Sequence, residues 1–331
     1  MDPTRTCSIC GEVKAATEFY GTNKLQCKPC KKLIRLTRIN SDPKEYFKEL
    51  VKSAKQSAKE RGEKGRVEAS EFSITLEDVM KLHTTQNGKC AYSGIPYVCL
   101  LEQDWRASIE RLNPQKGYVL DNVALVVLEL NGSVQWSKQK IDELQIHLNS
   151  SYEPQIVDFK CDRKIRENRG KLEQYIIDDV ECVKCKFCSE VKPRLQFNSK
   201  LDYGCKECIA KYHKDYKKTP HGHIKQMMLA MKNHTKERND KGRNHDECDI
   251  SYDDCVQIFN DQSGLCFYSG IPMNFGSYIE TNWICSAERL DESKGYIKGN
   301  VCLICFEFNT GHSNAWSKEK ICYLKQHLIT T

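Results

Sequence analysis

No stretch of the 331-residue sequence approaches the roughly eighteen consecutive apolar residues that a membrane-spanning helix requires. No membrane crossing is therefore expected, and no membrane partner. The first residues, MDPTRTCSIC, also lack the apolar segment of a secretory leader. That changes how the 19 cysteines are read. In a small secreted chain they would suggest disulfides, but eight of them form two matching double-CxxC sets. The expectation is a reduced, intracellular protein, with cytoplasm or nucleus left open. A strong excess of one charge is missing too: 51 Lys and Arg oppose 45 Asp and Glu, for a net charge of +6 and a pI near 8.4. So small an excess is informative only where it is concentrated. Between Lys28 and Arg66 there are thirteen Lys or Arg against five Asp or Glu. Such a local field suits a polyanion such as nucleic acid, and a solvated helix face is the plainer alternative.

What the sequence does have is repetition. Trp105 to Asn131, WRASIERLNPQKGYVLDNVALVVLELN, returns as WICSAERLDESKGYIKGNVCLICFEFN from Trp283 to Asn309. Each copy carries an Arg, a Gly-Tyr turn, an Asn eleven residues past the Arg and a second Asn nine residues later. The cysteines repeat as well. Cys7 and Cys10, then sixteen intervening residues, then Cys27 and Cys30 form one set; Cys185, Cys188, Cys205 and Cys208 repeat it at the same gap. Two residues between cysteines let a tight turn aim both sulfurs at one ion. Zinc accepts four thiolates tetrahedrally and then has no open position, so one structural Zn²⁺ is expected in each knuckle. A redox pair would not need identical double sets in both halves. Cys182, three residues before the second set, is a competing ligand.

The elements between these landmarks repeat too. Phe47, Leu50, Val51, Ala54 and Ala58 recur at helical steps from Pro43 to Arg61, with Lys48, Lys52, Lys55 and Lys59 elsewhere on the helix. Ile224, Met227, Met228 and Met231 match them in the second copy and read as core. The glycines of RGEKGR (Arg61 to Arg66) and RNDKGR (Arg238 to Arg243) break the helix and leave a basic loop. Thr75 with Asp78, and Ser251 with Asp254, mark capped helix starts. Trp136-Ser137 and Trp316-Ser317 introduce last helices with Ile141, Leu144 and Leu148, or Ile321, Leu324 and Leu328, on one face. The expected fold is α+β: two tandem units, each a small zinc knuckle, helices and a hairpin-helix module. Knuckles occupy 1–35 and 185–213, hairpin-bearing domains 43–148 and 220–331, and a linker 149–184.

Ser108 to Arg111 alternates as a strand does, Asn113 to Gly117 supplies turn chemistry, and Val123 to Val127 is a second strand or the entry to a helix. With Asn131 on the following helix, Glu110, Arg111, Asn122 and Asn131 gather on one side. A carboxylate and an amide oxygen are hard ligands suited to Mg²⁺ or Mn²⁺.

ERLNPQKGYVLDNVALVVLELN and ERLDESKGYIKGNVCLICFEFN resemble the HNH, or ββα-metal (His-Me finger), endonucleases, especially phage and viral members in which a thiolate zinc knuckle precedes a hairpin reading DRxDxxxGYxxGNVxLxxxxxN. The resemblance covers most of both repeats. It implies a divalent ion on Glu110 and Asn131, and on Glu288 and Asn309, with Asn122 and Asn300 in the position that orients the general base. The base position itself departs from the pattern, holding Arg111 and Arg289 where the family has His. Arginine stays protonated and cannot accept a proton from water; it can clamp a phosphate. His147 and His327 are substitute bases at matched positions, against the plainer reading of surface histidines. Where many members hold a core zinc between two CxxC pairs, this chain has Cys90-x-x-Ser93 with Val127-x-x-Leu130, and Cys266-x-x-Ser269 with Cys305-x-x-Phe308. No core zinc is expected. The resemblance implies a metal-dependent endonuclease acting on DNA, with RNA as the other polyanion. The alternatives are a catalytically degenerate zinc-containing nucleic-acid-binding protein and a zinc-based protein-interaction module.

Overall fold

In the computed structural model, residues 3–21, 25–132, 136–160, 172–198, 204–242, 247–277, 279–309 and 316–330 are described. Helices and small antiparallel sheets alternate along the chain. It divides into two units: Met1–Ile146 with His312–Trp316 and Tyr323–Thr331, and His147–Gly311 with Ser317–Cys322. Among the described residues no helix is long and apolar enough to cross a membrane.

In unit 1, β1 (Thr4–Thr6) and β2 (Val13–Ala15) form a short hairpin, and α1 (Lys28–Ile39) starts at Cys27 with Pro29 in its first turn. Among the described residues the buried centre of this knuckle is Cys7, Phe19 and Cys27, with Cys30 packed against it. So small a core needs a cross-link. α2 (Pro43–Glu63) follows, its start capped by Asp42. Phe47, Ala54 and Ala58 bury the expected stripe, and the Tyr46 hydroxyl donates to the Ala107 carbonyl at 2.7 Å, tying the helix to the first strand of the hairpin. α3 (Leu76–Thr85) opens on a complete capping box: Asp78 N–H donates to the Thr75 hydroxyl, and Thr75 N–H to the Asp78 carboxylate.

The hairpin is β3 (Ala107–Arg111) against β4 (Val123–Val127), with Ile109 opposite Leu125. Val123 to Val127 is thus strand, not a helix entry. Ala107 and Ile109 face the core, which leaves Ser108 and Glu110 on the opposite face of β3. Asn131 caps a single 3-10 turn, Leu128–Leu130, rather than lying within a helix. α4 (Lys138–Leu148) is capped by the Ser137 hydroxyl, as expected, and buries Ile141 and Leu144. Trp136, Trp105, Trp316 and Tyr323 form an aromatic cluster in this unit.

Unit 2 repeats the plan with an addition. The interval 149–184, read from sequence as a linker, carries structure: β5 (Gln174–Ile177) pairs with β6 (Val180–Lys184), which pairs with β7 (Val191–Pro193). Upstream, Gln155 N–H donates to the Ser263 carbonyl, and Phe159 packs edge-on against Phe259 and Phe275. These residues had no sequence signal because their pairing partners are distant or lie outside any motif. α5 (Lys206–Lys218) begins at Cys205; α6 (Pro220–Asp240) buries Ile224, Met227 and Met231; α7 (Tyr252–Asp261) has its own capping box from Ser251 and Asp254. The second hairpin is β8 (Cys285–Arg289) with β9 (Val301–Cys305), and α8 (Phe306–Asn309) ends on Asn309. α9 (Lys318–Thr330) is capped by the Ser317 hydroxyl.

Candidate functional site

The clearest site chemistry is in the knuckles. The sulfurs of Cys7, Cys10, Cys27 and Cys30 lie within 4.8 Å of one another, as do those of Cys185, Cys188, Cys205 and Cys208. Tetrahedral zinc with bonds of about 2.3 Å holds its sulfurs about 3.8 Å apart, so both sets fit such an ion. Backbone geometry prepares them for it. Ile9 and Cys27 N–H groups both point at the Cys7 sulfur at 3.4 Å, and Phe187 and Cys205 N–H groups point at that of Cys185. The N–H donors of Cys27 first, then Cys10, bring the Cys7 thiol down to about 6. For Cys185, burial pushes the thiol up but the N–H groups of Cys188 and Cys205 outweigh it, again to about 6. Among the described residues these are the two groups of that kind, and Cys182 stands outside the second. In the core of unit 2, Cys305 N–H donates to the Cys266 sulfur at 3.4 Å.

The second candidate site is the hairpin. Its connecting loop is pinned by residues that the pattern singled out. Asn122, 3% exposed, accepts from Asn113 N–H at 2.8 Å and donates to the carbonyls of Asn113 and Gly117 at 3.0 and 2.9 Å. Asn300 does the same for Asp291 and Gly295. Neither amide is bonded to an arginine. Arg111 turns its Nη1 into the same loop, donating to the carbonyls of Pro114 at 2.7 Å and Lys116 at 2.8 Å; Arg289 reproduces this on Glu292 and Lys294. Each arginine also lies over the loop tyrosine, Tyr118 or Tyr296, at 5.6 Å. The Gly-Tyr pair has a packing cause: a Cβ on Gly117 would stand 2.0 Å from the Glu71 carbonyl oxygen, and one on Gly295 2.1 Å from that of Glu247.

Asn131 is tied to the other face of the hairpin. Its amide nitrogen donates to the Ser108 hydroxyl at 2.7 Å and to the Ile109 carbonyl at 3.0 Å; Asn309 is held likewise by Ser286 and Ala287. The nitrogen is fixed on Ser108, which shares one face of β3 with Glu110. Burial pushes the Glu110 carboxyl up to about 7, against the opposing pull of Arg111 and Arg61. Burial, with the charge of Glu292, brings Glu288 to about 7 as well. A partly desolvated carboxylate and an amide oxygen are hard donors of the kind that suit Mg²⁺ or Mn²⁺, which keeps several waters.

Two residues near Glu110, Tyr92 and Arg61, had only a structural or loop reading in the sequence. Burial and then the Glu110 charge raise the Tyr92 hydroxyl to about 12; at Tyr268, burial, then Cys302 and then the Glu288 charge have the same effect. Their signal was the shared Tyr-Ser-Gly-Ile-Pro of Tyr92–Pro96 and Tyr268–Pro272. Arg61, at the end of α2, lies 5.3 Å over the Tyr118 ring. The proposed substitute bases are engaged: His147 Nδ1 with the Tyr152 hydroxyl at 2.5 Å, and His327 Nε2 with the Ser93 carbonyl at 3.2 Å. Comparison with protein-family models, with curated proteins and with solved structures finds no match for this chain.

Proposed function

We propose that the chain is a metal-dependent endonuclease of HNH type, with two structural zinc knuckles and a hairpin site in each unit that hydrolyses phosphodiester bonds of DNA. The observation that carries this reading is the pairing, in both units, of a desolvated strand carboxylate with an asparagine amide held on the same strand face: Glu110 with Asn131, Glu288 with Asn309. A bound divalent cation would polarise the phosphate and stabilise the departing oxygen. Glu110 and Asn131 would hold it, and Ser108, by fixing the amide nitrogen, would aim the amide oxygen. Zinc in the knuckles would order the chain around α1 and α5.

A second reading, nucleic-acid binding without cleavage, is favoured by one observation. Arg111 and Arg289 occupy the base position with one nitrogen committed to two loop carbonyls, so that position supplies no proton acceptor. The test is nicking of supercoiled plasmid by purified protein with Mg²⁺ or Mn²⁺, beside Glu110→Ala/Glu288→Ala. Nicking that vanishes in the variant supports the nuclease; bound but intact plasmid with either ion supports the binding protein.

A further inference from the structure

α2 of unit 1 carries a feature that the hairpin alone does not explain. An open groove of about 820 Å³ runs along it, with Lys52, Lys55 and Lys59 beside Ser53, Ser57 and Phe72. The three lysines are exposed. Lys59 has Glu63 at 3.8 Å, while Lys52 and Lys55 form no ion pair among the described residues. The groove's one carboxylate, Glu49, is already engaged by Arg35. Phe72 then leads onward: its ring meets Tyr118 edge-on at 6.2 Å, and Tyr118 carries Arg61. Arg61 is held but not consumed. Its Nη1 is buried without a hydrogen-bond partner, in contrast to Arg111, whose Nη1 already serves two carbonyls.

Unit 2 keeps two of the three lysines, as Lys232 and Lys236, but differs at the other positions. By the same alignment, Leu229, 52% exposed, stands where unit 1 has Lys52. Cys248 replaces Phe72, as the matching bridges Phe72 to Tyr118 and Cys248 to Tyr296 show. Arg238, the counterpart of Arg61, donates to the Glu292 carbonyl at 3.1 Å.

We infer that the α2 groove of unit 1 binds the sugar–phosphate backbone of a nucleic acid, with Arg61 taking the phosphate that stands beside Glu110, and that the corresponding grip in unit 2 is weaker. The inference deepens the nuclease reading and rests on it for the role of Glu110, but the groove is tested by binding alone. At 1.5 Å rise per residue, Lys52 to Lys59 spans about 10 Å, which matches about three phosphates of one strand at 3.4 Å each. The guanidinium supplies the planar fork that a phosphate accepts in two parallel hydrogen bonds.

The experiment is fluorescence anisotropy of a labelled duplex oligonucleotide titrated with the full chain over a range of KCl concentrations. Lys52→Ala/Lys55→Ala/Lys59→Ala should flatten the slope of log affinity against log salt by about 2 to 3, since each phosphate contact contributes roughly 0.9. Arg61→Ala should weaken binding about tenfold, Arg61→Lys should recover part of it, and Arg238→Ala should change it less than about twofold. An unchanged slope in the triple variant, with the parent chain binding DNA, overturns the groove and leaves the nucleic-acid reading standing. Loss with Arg61→Ala that equals loss with Arg238→Ala overturns the asymmetry. A parent chain without salt-dependent binding overturns both the groove and the reading beneath it.

Discussion

The resemblance to HNH endonucleases puts Asn122 in the orienting position, yet its three hydrogen bonds all go to the hairpin loop. Replacing it by Ala would orphan a part-buried N–H and two carbonyls, a loss of about 2–4 kcal/mol at roughly 1–3 kcal/mol per unsatisfied group with partial rescue by water. Urea unfolding of Asn122→Ala is expected to show that loss; a midpoint like the parent's would return Asn122 to a purely functional role. Gly117→Ala meets the Glu71 carbonyl oxygen at 2.0 Å and should be at least as costly. Glu110 makes a prediction of a different kind. Its carboxyl, near 7 rather than the ordinary 4.5, keeps a proton that the unfolded chain gives up, so its contribution to stability falls as pH rises from about 4.5 to about 7. A cation using that carboxylate must displace the proton. Manganese affinity should therefore drop about tenfold per unit as pH falls below about 7, and Glu110→Gln/Glu288→Gln should flatten the profile; an unaltered profile would remove these carboxylates as ligands.

At the scale of elements, the knuckles were legible because cysteine spacing alone nearly determines where the sulfurs meet. The capping boxes of α3 and α7 were legible for a similar reason: both partners lie three residues apart. What escaped was contact between residues far apart in sequence. Tyr46 reaches Ala107 across 61 positions, and β5 joins the second knuckle from a stretch with no motif. Arg111 escaped differently: sequence specifies a guanidinium but not which carbonyls it satisfies. The first knuckle has so few buried side chains that its order should depend on metal. Metal analysis should find two zinc ions per chain, one for each four-sulfur group. Chelation should raise amide exchange across β1, β2 and the first turn of α1 while β3 and β4 stay protected; uniform exchange throughout the unit would show that the knuckle is not separately metal-dependent.

For the whole molecule, duplication is written in the sequence, but the inequality of the copies is not. Both hairpins keep the Arg, the Gly-Tyr turn and both Asn residues, and both loops are pinned by the same hydrogen bonds. The difference lies outside the motif, in Lys52 against Leu229, Phe72 against Cys248, and an Arg61 nitrogen without a partner against an Arg238 bonded to a carbonyl. A motif comparison weights the hairpin and would miss these positions. The most direct test compares plasmid nicking by Glu110→Gln alone with nicking by Glu288→Gln alone, at fixed salt and Mn²⁺. The expected result is a partial loss with each single variant, larger for Glu110→Gln because its unit carries the groove, and a loss of roughly 10²-fold or more, the scale of several kcal/mol of metal-assisted stabilisation, when the two are combined. Full nicking by both variants, and by the two combined, would contradict cleavage at the hairpin carboxylates.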